Sequence, residues 1–150
     1  MILPEDYDLP ELNDSKKLTE KKREMLFPLI KERAIAWSVA WVEASEIDAT
    51  DILSARMKAM QMAIDGLSVT SDMALIDGNR DKGHSAAIST AHRCIVGGDG
   101  KSASIAAASV LAKVSRDHYV TEVLDKAYPQ YQFARHKGYG TKLHLSLIHI

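Results

Sequence analysis

The chain has 150 residues, 46% of them hydrophobic and 26% charged, the composition of a single globular domain with a core of ordinary size. Its formal charge of −1 gives no global attraction to nucleic acid, so any such binding must come from local basic clusters. No apolar run approaches a membrane span, MILPEDYDLPE lacks the basic flank and apolar stretch of a secretory leader, and the single cysteine cannot form an internal disulfide; a cytoplasmic protein is expected.

Residues 1–18, rich in Pro, Asp and Glu, predict a loop. TEKKREMLFPLIKERA then sets Met25, Leu26, Leu29 and Ile30 at helical spacing, with Thr19 as the cap and Pro28 placed to bend or divide the helix. AIAWSVAWVEA has the short apolar, β-branched and aromatic character of a strand. SEIDATDILSARMKAMQMAIDGL returns to helical spacing through Ile52, Met60, Ala63, Ile64 and Leu67, with Asp48 as the expected cap and Gly66 as the expected stop. DMALIDGN and AHRCIVGGDG predict two further strands, each ending on an Asp followed by Gly. Cys94, inside the second run, reads as a small buried hydrophobe. A last long helix over 102–127 carries Ala103, Ala106, Ala107, Ala108 and Ser109, small side chains that let its backbone lie close to a neighbour, and Pro129 ends it. No repeat, low-complexity tract or linker interrupts the chain.

Asp77 and Asp99 each stand where an apolar strand gives way to Gly. If the two strands are neighbours in one sheet, their carboxylates converge at the same edge. Such a cluster suits Mg²⁺ or Mn²⁺, hard cations that prefer oxygen ligands, keep several waters and bridge to phosphate. Zinc would call for Cys and His at set spacing, and the chain has one Cys and scattered His. Asp-Gly is also a common turn in which the Asp bonds its own backbone, so each residue alone carries both readings. Gly100-Lys101-Ser102 makes a poor nucleotide-binding loop, because Ile95 occupies the position that needs the earlier Gly and Asp99 would face the phosphates.

Five ordered blocks carry a family resemblance: LNDSKKLTEKKR (12–23), EIDATDILSARMKAM (46–60), LIDGN (75–79), GGDGKSASIAAASVLAKVSRD (97–117) and YPQYQFARHKGYGTKLH (128–144). Together they resemble ribonuclease HII, the type 2 ribonuclease H, from Pro4 to His144 without a break. The resemblance implies an α/β fold, a ribonuclease H-like mixed sheet flanked by helices, here incomplete with the first strand and most of the second missing. It implies a Mg²⁺- or Mn²⁺-dependent endonuclease that hydrolyses the RNA strand of RNA–DNA hybrids and cuts on the 5′ side of ribonucleotides embedded in DNA. One ion would activate water and a second would stabilise the leaving oxygen. Under the resemblance Asp77 and Asp99 are catalytic metal-binding carboxylates and Tyr139 packs against the sugar at the junction. Ser15, Lys16, Lys17 and Lys101 lie near phosphates, and His136 and Lys137 contact the backbone. Read without it, Lys16 and Lys17 are equally a solvated basic surface, Tyr139 a half-buried packing residue and ARHKG a polar loop. The implied partner is an RNA–DNA hybrid or ribonucleotide-containing DNA, with no membrane, and the implied full-length form is a monomer.

The chain departs from the family pattern at both ends. Family members begin with a strand bearing Asp-Glu-Val-Gly-Arg-Gly, which supplies two more metal-binding acids and grips the junction; the sequence here contains no such motif. MILPEDYDLP resembles the end of the family's second strand and the loop after it. Residues 1–144 are therefore expected to form a partial ribonuclease H-like catalytic domain, inactive alone. LSLIHI, residues 145–150, does not read as the family's expected continuation and resembles the translation of a sequencing-library adaptor, so a non-native tail is expected there. Asp51 stands where the family favours Asn, and Gly100 where it often has Ala. The alternative function is a noncatalytic nucleic-acid-binding remnant of the family, distinguished by hybrid binding without cleavage. A plain α/β domain would show no salt-dependent binding at all.

Overall fold

Thr19 Oγ1 accepts a hydrogen bond from the Lys22 N–H at 3.3 Å and caps helix α1, Glu20–Arg33. Glu20 in the first turn and Lys31 and Arg33 in the last complement the helix dipole. Pro28 removes one backbone donor, yet α1 runs through it undivided, anchored by the buried Leu26 and Ile30. The computed structural model describes residues 1–9, 12, 18–78 and 88–148. Its chain falls into two units, Met1–Leu111 and Ala112–Ile150.

The apolar run after α1 is not the expected strand. The Ile2 N–H donates to the Ala36 carbonyl at 2.7 Å in a single antiparallel bridge, and residues 37–43 continue without regular structure. A strand needs backbone partners along its length as well as β-favouring side chains, and Ile2 supplies them only for Ile35 and Ala36. Trp37 and Trp41 remain 39% and 43% exposed. Lys31 Nζ lies 4.3 Å from the Trp37 ring centroid, a cation held over an aromatic face.

Two helices follow, α2 (Ala44–Ala49) and α3 (Ile52–Asp65). The cap of α3 is Asp51 and not the expected Asp48, which lies within α2. Asp51 Oδ1 accepts from the Leu53 N–H at 2.8 Å and the Ser54 N–H at 3.0 Å, directly before the apolar run begins. Gly66 stops α3 as expected. Met57 of α3 joins Ile76 and Ile88 in a buried cluster, with Leu53, Met60, Ile64 and Cys94 packed against it. The half-buried Cys94 thus behaves as a small hydrophobe.

Strands β1 (Ala74–Asp77) and β2 (His92–Ile95) pair in parallel, in register from Ala74 opposite His92 to Asp77 opposite Ile95. This small parallel sheet, packed against α3, places the chain in the α/β class. Helix α4 (Ala103–Tyr119) continues through a π turn at Val120–Leu124 into α5 (Asp125–Ala127), so the expected long helix is present with a wider turn inside it. Ala106, Ala107, Val110, Leu111 and Val114 are buried along its apolar stripe. Pro129 opens a 3-10 turn, followed by α6 (Phe133–His136) and α7 (Lys142–Ile148). Leu145 and Ile148 on α7 are each 52% exposed. Among the described residues no helix is long and apolar enough to cross a membrane.

Candidate functional site

Asp77 is the last residue of β1, and the parallel pairing brings the ends of β1 and β2 to the same sheet edge. Beyond β2, Gly97 turns the backbone in the left-handed region at φ 63° and leads into the 3-10 turn Gly98–Gly100, which carries Asp99. The Gly98 N–H donates to Asp77 Oδ1 at 2.8 Å, so the backbone next to Asp99 is tied to the Asp77 carboxylate. A Cβ at Gly98 would lie 2.6 Å from Ile105 Cδ1 and 3.3 Å from Asp77 Oδ1, which is why this turn needs glycine. Asp77 is exposed, whereas Asp99 is only 6% exposed. Lys101 closes the turn through its N–H to the Gly98 carbonyl at 3.0 Å and is exposed.

Two carboxylates at one sheet edge form an all-oxygen donor set, which fits Mg²⁺ or Mn²⁺. Asp77 Oδ2 takes no part in the bond to Gly98. Among the described residues no three His, Cys, Asp or Glu side chains group to form a metal cage.

A second constellation lies within the unit Ala112–Ile150. Asp117, on the last turns of α4, is 5% exposed and accepts from the Tyr139 hydroxyl at 3.0 Å. Arg116 Nη1 donates to the Lys137 carbonyl at 2.6 Å and lies 3.3 Å from Asp117 Oδ1, while the guanidinium carbon stands 4.8 Å from the Tyr139 ring centroid. Burial raises the Tyr139 phenol pKa above its usual value, and the bond to Asp117 and its negative charge add to this; Arg116 opposes them. The turn itself has Lys137 at φ 50° and Gly138 at φ 72°, both left-handed.

His136 is buried beneath this turn. Its Nδ1 accepts from the Gly138 N–H at 3.0 Å, and Nε2 faces the Tyr131 carbonyl at 2.7 Å, a pattern satisfied by the neutral ring protonated on Nε2. The ring stacks on His144 at 4.4 Å between centroids, with 11° between planes. His144 Nδ1 in turn donates to the Tyr139 carbonyl at 3.0 Å.

The structure thus seats the turn that carries Asp99 against the Asp77 carboxylate, with Lys101 exposed on the same turn, and sets Lys137 and Tyr139 on one loop. It turns His136 inward. Both of its ring nitrogens are bonded inside the protein, to the Tyr131 carbonyl and the Gly138 N–H, so His136 braces the loop. Ser15, Lys16 and Lys17 lie outside the described residues. Arg116 and Asp117 were not singled out by the motifs, although a signal exists for one of them. Val110, Val114 and Asp117 recur at i, i+4 and i+7, which puts an acid on the apolar stripe of α4 where it requires a partner.

The family model for ribonuclease HII matches residues 4–148. The ribonuclease HII of Aliivibrio fischeri is 53% identical over 148 residues, a match covering 99% of this chain and 69% of the relative. That of Desulfitobacterium hafniense is 53% identical over 144 residues, covering 96% of this chain and 54% of the relative. That of Acinetobacter baylyi is 50% identical over 151 residues, covering 100% and 77%. Among solved structures, the ribonuclease H2 from Pyrococcus horikoshii OT3 matches with a TM-score of 0.68 at 21% identity, covering 91% of this chain and 79% of that one. This last likeness bears on the fold, which is ribonuclease H-like.

Proposed function

The chain belongs to the ribonuclease HII family, and from that premise we propose that residues 1–144 are the partial catalytic domain of a divalent-metal-dependent endonuclease. Its substrates in this reading are the RNA strand of RNA–DNA hybrids and DNA containing ribonucleotides, cut on the 5′ side of the ribonucleotide. The full-length form works as a monomer in the cytoplasm. The observation that carries the reading is the bond from the Gly98 N–H to Asp77 Oδ1, made across the ends of two paired parallel strands, which seats the Asp99 turn against the Asp77 carboxylate.

In this reading Asp77 and Asp99 hold Mg²⁺ or Mn²⁺. When bound, the ion supplies Lewis-acid stabilisation of the phosphate and lowers the pKa of its bound water. The protein contributes orientation. The Gly98 amide fixes one oxygen of Asp77, and the buried Asp99 is held on the same turn. Lys101, exposed on the Asp99 turn, neutralises phosphate charge, as do Lys16 and Lys17, and Ser15 donates its hydroxyl to a phosphate oxygen. Tyr139 meets the sugar, where an RNA-specific enzyme must read a 2′-hydroxyl, and Lys137 contacts the adjoining backbone. His136 acts indirectly, by holding the loop that presents them.

The deciding experiment uses a duplex with one embedded ribonucleotide, in Mg²⁺ or Mn²⁺. The chain as it stands, with no Asp-Glu-Val-Gly-Arg-Gly motif, should cleave little. Supplying an N-terminal strand with that motif should restore cleavage, and Asp77→Asn should abolish the restored activity while the far-ultraviolet circular dichroism stays unchanged. Efficient cleavage by the unextended, nuclease-free chain, or undiminished cleavage after Asp77→Asn, would sink the reading. One rival is a noncatalytic remnant, which would bind hybrid in a salt-dependent way yet fail to cleave even after extension.

A further inference from the structure

A phenol has one proton to give and lone pairs to receive, whereas a carboxylate only receives. The Tyr139 hydroxyl, 3.0 Å from Asp117 Oδ1, has therefore committed its proton inward, although the residue is 41% exposed. Arg116 fixes the same side chain from two further directions. Its Nη1 holds the Lys137 carbonyl, two residues before Tyr139, and its guanidinium lies against the Tyr139 ring while touching the Asp117 carboxylate. The loop is shaped to admit that guanidinium, since a Cβ on Gly138 would stand 3.0 Å from Arg116 Nη2. A planar fork of donors meets these demands together; a lysine ammonium, compact and on a flexible stem, does not.

We propose that Arg116 and Asp117 are positioning residues that fix the direction of the Tyr139 hydroxyl, leaving its oxygen as a hydrogen-bond acceptor for a ribose 2′-hydroxyl. The proposal rests on the reading of Tyr139 as the residue that meets the sugar. It adds a polarity to that contact: the sugar donates and the protein accepts. A 2′-hydroxyl can do either, so ordinary RNA does not reveal the direction. Modified sugars do. A 2′-fluoro group keeps the electronegative atom but has no proton to give, whereas a 2′-amino group retains a donor.

The test measures binding of the full chain to duplexes that differ at one sugar, carrying 2′-hydroxyl, 2′-amino, 2′-fluoro or 2′-hydrogen, by fluorescence anisotropy with metal chelated so that no strand is cut. The hydroxyl and amino duplexes should bind about two- to tenfold more tightly than the fluoro and hydrogen ones, the range of one neutral hydrogen bond. Tyr139→Phe should erase the difference. Arg116→Lys, which keeps the charge, and Asp117→Asn, which can present either a donor or an acceptor to the phenol, should both shrink the hydroxyl-to-fluoro ratio. Arg116 has a side chain 40% exposed, so its replacement is compatible with folding even if that of the buried Asp117 is not, and the fluoro comparison needs no variant. If wild-type protein binds the hydroxyl and hydrogen duplexes equally, the sugar-facing reading of Tyr139 fails and takes the proposal with it. If Tyr139→Phe abolishes a real preference but the fluoro duplex binds as well as the hydroxyl one, or Arg116→Lys and Asp117→Asn keep the full wild-type ratio, the proposal alone is overturned.

Discussion

Asp77 Oδ1 accepts a hydrogen bond from the Gly98 N–H at 2.8 Å, joining the carboxylate that ends one strand to the turn that follows its neighbour. The candidate metal edge is therefore assembled by backbone as much as by its acids, and its geometry depends on a residue that carries no side chain.

Gly98→Ala should destabilise the protein by about 1–3 kcal/mol, the usual penalty for forcing a methyl into a packed site. The new Cβ would stand 2.6 Å from Ile105 Cδ1, and Ile105 is buried, so its side chain has little room to withdraw. Gly100→Ala is the matched control. Nothing lies within 4 Å of a Cβ there and its φ is not left-handed, so its effect should stay within about 0.5 kcal/mol. Urea denaturation of the two variants side by side checks the pair, and equal midpoints would show that the turn adapts without strain.

At Asp51 two hydrogen bonds to the Leu53 and Ser54 amides make the cap of α3, and the side chain also receives the Ser54 hydroxyl at 2.5 Å. Asp51→Ala should cost about 1 kcal/mol, the typical loss of an N-cap acceptor. Asp51→Asn should be close to neutral, because Asn caps as well as Asp. Thermal melts distinguish the outcomes, and a large loss on Asp51→Asn would mean that the charge, not the cap, matters here.

The sequence made some of this arrangement legible and hid the rest for physical reasons. Asp77-Gly78 stops β1 where the apolar run predicts, whereas β2 ends at Ile95, ahead of Gly97, so Asp99 stands on the 3-10 turn beyond the strand and not at its end as expected. That the two strands pair, and in parallel, is a long-range choice that no window of sequence contains. AIAWSVAWVEA failed as a strand for the same reason, since its composition is right but only Ile35 and Ala36 find backbone partners. Asp48 and Asp51 are chemically equal as caps, and the separate helix α2 absorbed the first of them. His136 read as a polar loop residue because polarity predicts exposure on average. It is buried instead, its two ring nitrogens satisfied by Gly138 and Tyr131, partners that only the folded turn supplies.

Tyr139 gives the unit Ala112–Ile150 a pH dependence with a definite sign. Burial first, and then the bond to Asp117, raise its phenol pKa above the value of about 10 expected in the unfolded chain. Between the two values the folded state holds a proton that the unfolded state has lost, so stability falls as pH rises. The contribution is fully present below about pH 10 and disappears as pH climbs through the folded value. Ultraviolet difference spectra of the phenolate, wild type minus Tyr139→Phe, should isolate one tyrosine of the five that titrates late. Asp117→Asn should move that transition back toward the ordinary range, and an unmoved transition would assign the shift to burial alone.

The turn that carries Tyr139 should be the most glycine-dependent position of its unit. Gly138 sits at φ 72°, where an L side chain costs roughly 1–2 kcal/mol, and Lys137 before it already occupies the same region at φ 50°. Gly138→Ala should therefore lower stability by at least about 1 kcal/mol, whereas Gly140→Ala, with nothing within 4 Å and no left-handed φ, should change it by less than about 0.5 kcal/mol. Part of the Gly138 penalty is backbone strain and part is contact, because the added Cβ would stand 3.0 Å from Arg116 Nη2. A double-mutant cycle with Arg116→Ala separates them. Removing the guanidinium relieves the contact but not the strain, so Gly138→Ala should be less damaging in the Arg116→Ala background, yet still unfavourable. Strict additivity would mean that Arg116 swings away freely, which its simultaneous hold on the Lys137 carbonyl and the Tyr139 ring argues against.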